Sequence, residues 1–160
     1  MAFSISQYPI GGTPDSGLVL RATGSAAITT ATTTNSASLH LGNGATDFTV
    51  VIDVTAMSIV TGTYKFTVAG SDVTGTGGDL YVVNMLEIGA AATISGVCGL
   101  TPPGTRTTGR YMLKCTNIIT ATGGDTRACP YVFLRLITGI QSGGTVGSIT
   151  FSAFISVDAS

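Results

Sequence analysis

From Phe48 to Met57 the chain reads FTVVIDVTAM, with Phe48, Val50, Ile52 and Val54 at alternate positions and Thr49, Asp53 and Thr55 between them. Successive side chains leave a strand on opposite faces, so a period of two predicts a half-buried antiparallel strand. GTYKFTVAG repeats the pattern, with Tyr64, Phe66 and Val68 directed inward and Lys65 and Thr67 outward. GSITFSAFISV does so again through Ile149, Phe151, Ala153, Ile155 and Val157, leaving Phe154 alone on the other side. Further strands are predicted at GLVLR (Gly17 to Arg21), SASLHL (Ser36 to Leu41), ATISGV, GRYMLKCTNI and YVFLRLITGI. LYVVNMLEIG differs, because Leu80, Val82, Leu86 and Ile88 make one face apolar while Tyr81, Val83 and Met85 make the other apolar too. A strand covered on both faces needs a second neighbour, which suggests a contact between copies at Tyr81, Val83 and Met85.

Runs with apolar residues at i, i+3, i+4 and i+7 are missing, and β-branched residues and glycines punctuate the chain throughout. The expectation is an all-β fold, an antiparallel β-sandwich or barrel whose strands are separated by Gly-rich turns. Residues 1–16 carry Pro9, Gly11, Gly12 and Pro14 and predict an extended N-terminal arm ahead of a single domain at 17–160. Ser25 to Asn35 is nearly all Ala and Thr, too small to fill a core and suited to lying along a neighbour.

Composition sharpens this picture. Only 9% of the 160 residues are charged, against roughly 25% in an average soluble domain. With 44% hydrophobic residues and 22 Gly, the surface must be made largely of hydroxyls and glycine, which desolvate cheaply against another protein. A net charge of -1, with seven scattered Lys and Arg, gives no basic patch for nucleic acid. No apolar run has membrane-span length, and MAFSISQYPIGG has no signal-peptide pattern, so synthesis in a cytoplasm is expected.

Candidate chemistry is sparse. His40 is the one histidine and Glu87 the one glutamate, too few to build the common acid–base machinery. His40 is expected to be a strand residue at a sheet edge or subunit contact. Asp72 and Asp79 bracket a glycine-rich loop, yet two carboxylates fall short of a calcium shell, so a plain hairpin is expected there. Asp125 and Arg127 are placed for a surface ion pair. Cys98, Cys115 and Cys129 form no CxxC. Cys115 and Cys129 flank TATGGD and are near enough in sequence to bond across a hairpin, the alternative being small buried thiols. No catalytic residue, cofactor or metal site is assigned.

ITTATTTNSASLHLGNG, FTVVIDVTAM, GTYKFTVAGSD, GRYMLKCTNI, YVFLRLIT and SITFSAFIS, in that order, resemble the jelly-roll capsid cement (decoration) proteins of tailed bacteriophages over residues 25–158. Each string is a generic strand, and the likeness lies in their order. His40 stands where that family commonly has Asp, and its RY-type signal is divided here between Gly109 to Leu113 and Tyr131 to Leu136. The resemblance implies a jelly-roll sandwich and a non-enzymatic virion structural protein. Such a protein sits on the outer face of a phage head as a homodimer or homotrimer and clamps neighbouring major capsid protein subunits, without nucleic acid or membrane partners. Phe3, Ile5, Tyr8 and Ile10 of the arm are then candidates for capsid contact. A receptor- or carbohydrate-binding head of a tail fibre is the alternative, less favoured because no stalk or repeat is visible.

Overall fold

β-Branched and aromatic residues fit a pleated, half-buried surface, and the long alternating segments all form strands. The computed structural model describes residues 18–29, 34–58, 63–74, 80–89, 108–120, 124–139 and 147–156. The arm with Phe3, Ile5, Tyr8 and Ile10, the strand expected at ATISGV, and Cys98 and Asp79 lie outside them. Among the described residues the strands in chain order are β1 (Val19–Arg21), β2 (Thr34–Asn35), β3 (Leu39–His40), β4 (Asp47–Ser58), β5 (Thr63–Ser71) and β6 (Leu80–Gly89). They continue with β7 (Gly109–Thr116), β8 (Ile118–Thr120), β9 (Thr126–Ala128), β10 (Tyr131–Gly139) and β11 (Ser148–Ser156).

The strands build two antiparallel sheets that pack face to face, so the protein is an all-β sandwich. One sheet runs β1-β11-β4-β7 and the other β2-β10-β5-β6, with β3 also on β10 and β8–β9 a separate hairpin. At the two described ends of the Ala/Thr-rich stretch, Ile28 bridges Ile149 and Thr34–Asn35 pairs with β10. SASLHL yields only the two residues of β3, because the chain leaves β10 at once for the turn at Gly42, where φ is +97°.

The core lies between the sheets. Phe48, Val50, Ile52, Val54, Ile149, Phe151, Ala153 and Ile155 meet Tyr64, Phe66, Val68, Leu86, Ile88, Val132 and Leu134. Phe66 and Phe151 meet edge to face, 4.9 Å between centroids, a geometry worth about 0.5–1.5 kcal/mol beyond burial. Tyr64 keeps its hydroxyl satisfied by donating to the Ser58 carbonyl at 3.1 Å.

Two expectations of alternation need correction. β4 is buried on more than one face, because Val51, 1% exposed, and Thr49 are closed off outside the core, beside Phe154. In β6, the pairing with β5 slips between Val68 and Ala69. This bulge leaves one extra residue on β6, and an extra residue reverses which side the following side chains take. Leu86 and Ile88 therefore face the core as expected, whereas Val82, predicted to join them, is 63% exposed and Val83 packs inward. Gly70 is the residue that allows the approach. A Cβ there would stand 2.9 Å from the Cys129 Cβ and 3.4 Å from Val83.

Asn117, 0% exposed, joins three chain segments. Its side-chain amide donates to the carbonyls of Gly44 at 2.9 Å and Cys129 at 3.2 Å, and its side-chain oxygen accepts from the Thr46 amide at 2.7 Å. Its backbone exchanges bonds with Thr46 and Cys129 as well. Asn117→Ala removes three hydrogen bonds and strands the buried Cys129 carbonyl, a loss of about 1–3 kcal/mol for the buried group, while the partly buried Gly44 and Thr46 groups can turn to water. Urea unfolding is expected to show Asn117→Ala destabilised by about 1–3 kcal/mol, and Gly70→Ala destabilised by about 1–3 kcal/mol from overpacking against Cys129.

Candidate functional site

β7 alternates cleanly, with Tyr111, Leu113 and Cys115 turned inward and Arg110, Met112 and Lys114 outward and exposed. It forms one edge of its sheet, while β6 forms the corresponding edge of the other. The two edges are bridged where the Asn84 side-chain amide donates to the Lys114 carbonyl at 2.8 Å. Beyond that bridge the chains diverge. β7 passes through Asn117 into the β8–β9 hairpin, and an open groove remains, walled by Leu80 to Val83 on one side and by Thr116 and Ile118 to Thr120 on the other. Val82 and Ile118 stand exposed in this groove. Among the described strands, β6 pairs only with β5 and β8 only with β9. This edge groove is an open candidate site: its lining side chains are uncharged, with the Arg127 guanidinium beside Tyr81, and it offers strand edges and apolar side chains.

The three residues expected at a contact between copies do not share one face. Tyr81 and Val83 line the groove, while Met85, opposite Thr67, lies on the outer face of its sheet. The bulge is the reason. Tyr81 is also engaged within the chain, since the Arg127 guanidinium sits 4.7 Å from its ring centroid and donates to its hydroxyl. Arg127 is thus drawn to Tyr81, where the sequence suggested Asp125. An ion pair that the sequence did not suggest joins β4 to β7: Arg110 Nε and Nη2 donate to the two Asp53 carboxylate oxygens at 2.6 and 2.8 Å. This hydrogen bond raises the Arg110 pKa. The half-exposed pair fixes strand register and, at the surface, contributes about 0–1 kcal/mol.

His40 lies on β3 at the sheet margin, exposed, with its ring 5.0 Å from that of Tyr131. Glu87 is the cross-strand neighbour of Lys65. Asp72 is exposed at the end of β5. Among the described residues no three His, Cys, Asp or Glu gather in metal-binding proximity.

Cys115 and Cys129 are buried free thiols. The hairpin between them pairs Ile118 with Ala128, which sets Cys129 level with Asn117, while Cys115 belongs to β7 opposite Phe48. Burial pushes the Cys115 thiol up to about 11, against smaller opposing effects from Asn84 and the Val50 backbone. Burial raises Cys129 as well, with Arg127 opposing and Asp72 adding to the shift.

No family model, curated protein or solved structure matches the chain.

A folded-state pKa above the unfolded one stabilises at low pH and loses that stabilisation as pH rises through the folded value. For Cys115 the window runs from the ordinary value of 9.0 to about 11. Raising pH through this window is expected to lower the denaturation midpoint, less steeply in Cys115→Ala, as followed by circular dichroism. Tyr64, whose pKa burial also raises, acts in the same direction. In the native protein at pH 8, Cys115 and Cys129 should resist an aromatic disulfide reagent and react on unfolding.

Proposed function

We propose that this protein is a capsid cement (decoration) protein of jelly-roll type. It is a virion structural protein that binds the outer face of a bacteriophage head as an oligomer and stabilises contacts between major capsid protein subunits. The observation that carries the reading is the strand order. With the hairpin and the short β3 set aside, eight strands remain, and their chain ranks run 1-8-3-6 in one sheet and 2-7-4-5 in the other. A long antiparallel ribbon folded over on itself places strands in this order, and two such Greek keys make a jelly roll.

The segments that carry the resemblance fall on β2, β3, β4, β5, β7, β10 and β11, strands distributed over both sheets. Surface chemistry agrees with the role. A protein that docks repeatedly on one lattice does best with contact surfaces that desolvate little charge. Here charge is scarce, and Arg110 is already paired with Asp53. Its surface also presents Met112, 51% exposed on β7, together with Val82 and Ile118.

Attachment through apolar burial and hydroxyl or backbone hydrogen bonds is only weakly screened by ions. Purified protein added to heads that lack it is expected to co-sediment with them at about 0.1 M and about 1 M salt, although the Debye length shrinks roughly threefold across that range. Decorated heads should then withstand higher temperatures than bare ones. Complete release at the higher salt would assign attachment to a few charges, and failure to bind at either salt would overturn the cement reading itself.

A further inference from the structure

We propose that Asn43 is a modification site: it loses its side-chain amide spontaneously to give isoaspartate, and the change loosens the hydrogen bonds that Asn117 makes to the chain before β4. The inference is independent of the capsid reading.

Asparagine is among the chemically labile residues, and its conversion needs an unhindered backbone amide immediately after it. The Gly44 nitrogen attacks Asn43 Cγ and the bond from Cγ to Nδ2 breaks. The Gly44 proton passes through solvent to the leaving nitrogen, which departs as ammonia, and a cyclic imide remains. Water opens this ring at either carbonyl carbon, its hydroxyl going to carbon and its proton to the Gly44 nitrogen. Opening at Cγ leaves aspartate. Opening at the main-chain carbonyl gives isoaspartate, whose backbone runs through Cβ and Cγ and is longer by a methylene.

The structure singles out Asn43 among the four asparagines, Asn35, Asn43, Asn84 and Asn117. At the other positions the following amide is engaged: Ser36 N donates to the Leu134 carbonyl at 2.9 Å, Met85 N to Asn84 Oδ1 at 2.7 Å and Ile118 N to Thr116 Oγ1 at 3.4 Å. The side chains of Asn84 and Asn117 are also held by their carbonyl partners. Asn43 and Gly44 are exposed in the turn that leads to β4. Among the described residues neither the Asn43 side chain nor the Gly44 amide has a hydrogen-bond partner. Even a Cβ on Gly44 would meet nothing within 4 Å, so the approach is open, and glycine gives the backbone its widest freedom to reach it.

The position gives the reaction a structural effect. The Gly44 carbonyl accepts from Asn117 Nδ2 at 2.9 Å, and the Thr46 amide donates to Asn117 Oδ1 at 2.7 Å. Asn117 is buried and cannot follow. A methylene inserted just before Gly44 displaces its carbonyl from this fixed partner, and the contribution of that bond is lost.

The test holds the folded full-length chain in mildly alkaline buffer made with heavy-oxygen water, beside a peptide spanning Leu41 to Ala45. Mass spectrometry with electron-transfer fragmentation is expected to find the heavy label at Asn43 and not at the other asparagines, with isoaspartate the main product. In urea, which frees the Ser36 amide, Asn35 should become labelled as well. A folded chain that keeps Asn43 intact while the peptide converts, or that labels another asparagine first, would overturn the assignment. Gly44→Ala has room for its methyl group and is expected to fold and to convert more slowly; an undiminished rate would count against attack by this amide. Aged protein should unfold at lower urea than fresh protein. Asn43→Asp, which adds the charge without the methylene, should match the fresh protein. An unchanged midpoint after conversion, or an equal loss in Asn43→Asp, would overturn the link to Asn117. In Asn117→Ala, which already lacks these bonds, ageing is expected to lower the midpoint little further, and a full additional loss there would overturn the link too.

Discussion

The buried side chain of Asn117 holds the molecule to one arrangement at the end where its sheets open. A primary amide has two donors and an acceptor, and here all three are spent on backbone groups of Gly44, Thr46 and Cys129. Those groups belong to the segment before β4, and to the one between β9 and β10. The amide therefore fixes where β7 ends, where the hairpin begins and where the chain re-enters the sandwich. The hairpin wall of the edge groove follows from that placement. An apolar residue of similar size would leave the same backbone groups without partners, so packing alone cannot replace it.

The bulge between β5 and β6 is the second local departure with a wide effect. Strand alternation is strict, so one extra residue exchanges inside for outside along the stretch beyond it. It turns Val82 to solvent and Val83 inward. The small Gly70 then lets Cys129 and Val83 lie against the strand, and the β8–β9 hairpin can close down beside the sandwich. A regular β6 would have given a more uniform edge with less relief.

Much of the fold was legible before any coordinates. The strands from Phe48 to Met57, Leu80 to Gly89 and Tyr131 onward begin and end close to where periodicity places them, because long alternating runs admit few other solutions. β2 was missed, being two residues held by its neighbour rather than by its own pattern, whereas the hairpin around TATGGD was read from its turn residues without the bounds of β8 and β9. The bulge left no mark in the sequence, since LYVVNMLEIG is apolar in both phases. Asn117 was equally silent: a single Asn after a strand signals a turn, and only its partners, some seventy residues earlier and twelve later, reveal its task. The low charge and the single histidine were plain from composition. The groove was not, because it is made by the divergence of two edges.

The β8–β9 hairpin begins and ends at one spot, since Asn117 and Cys129 are joined by hydrogen bonds across its base. Whatever the chain does between them, it departs from and returns to the same clasp. The entropy of closing a loop grows only as the logarithm of its length, and each doubling costs about 0.6 kcal/mol. Lengthening the segment between Thr120 and Gly124 therefore leaves the sandwich almost untouched in energy. It is a position where a foreign peptide could be carried with little strain on the clasp at its base.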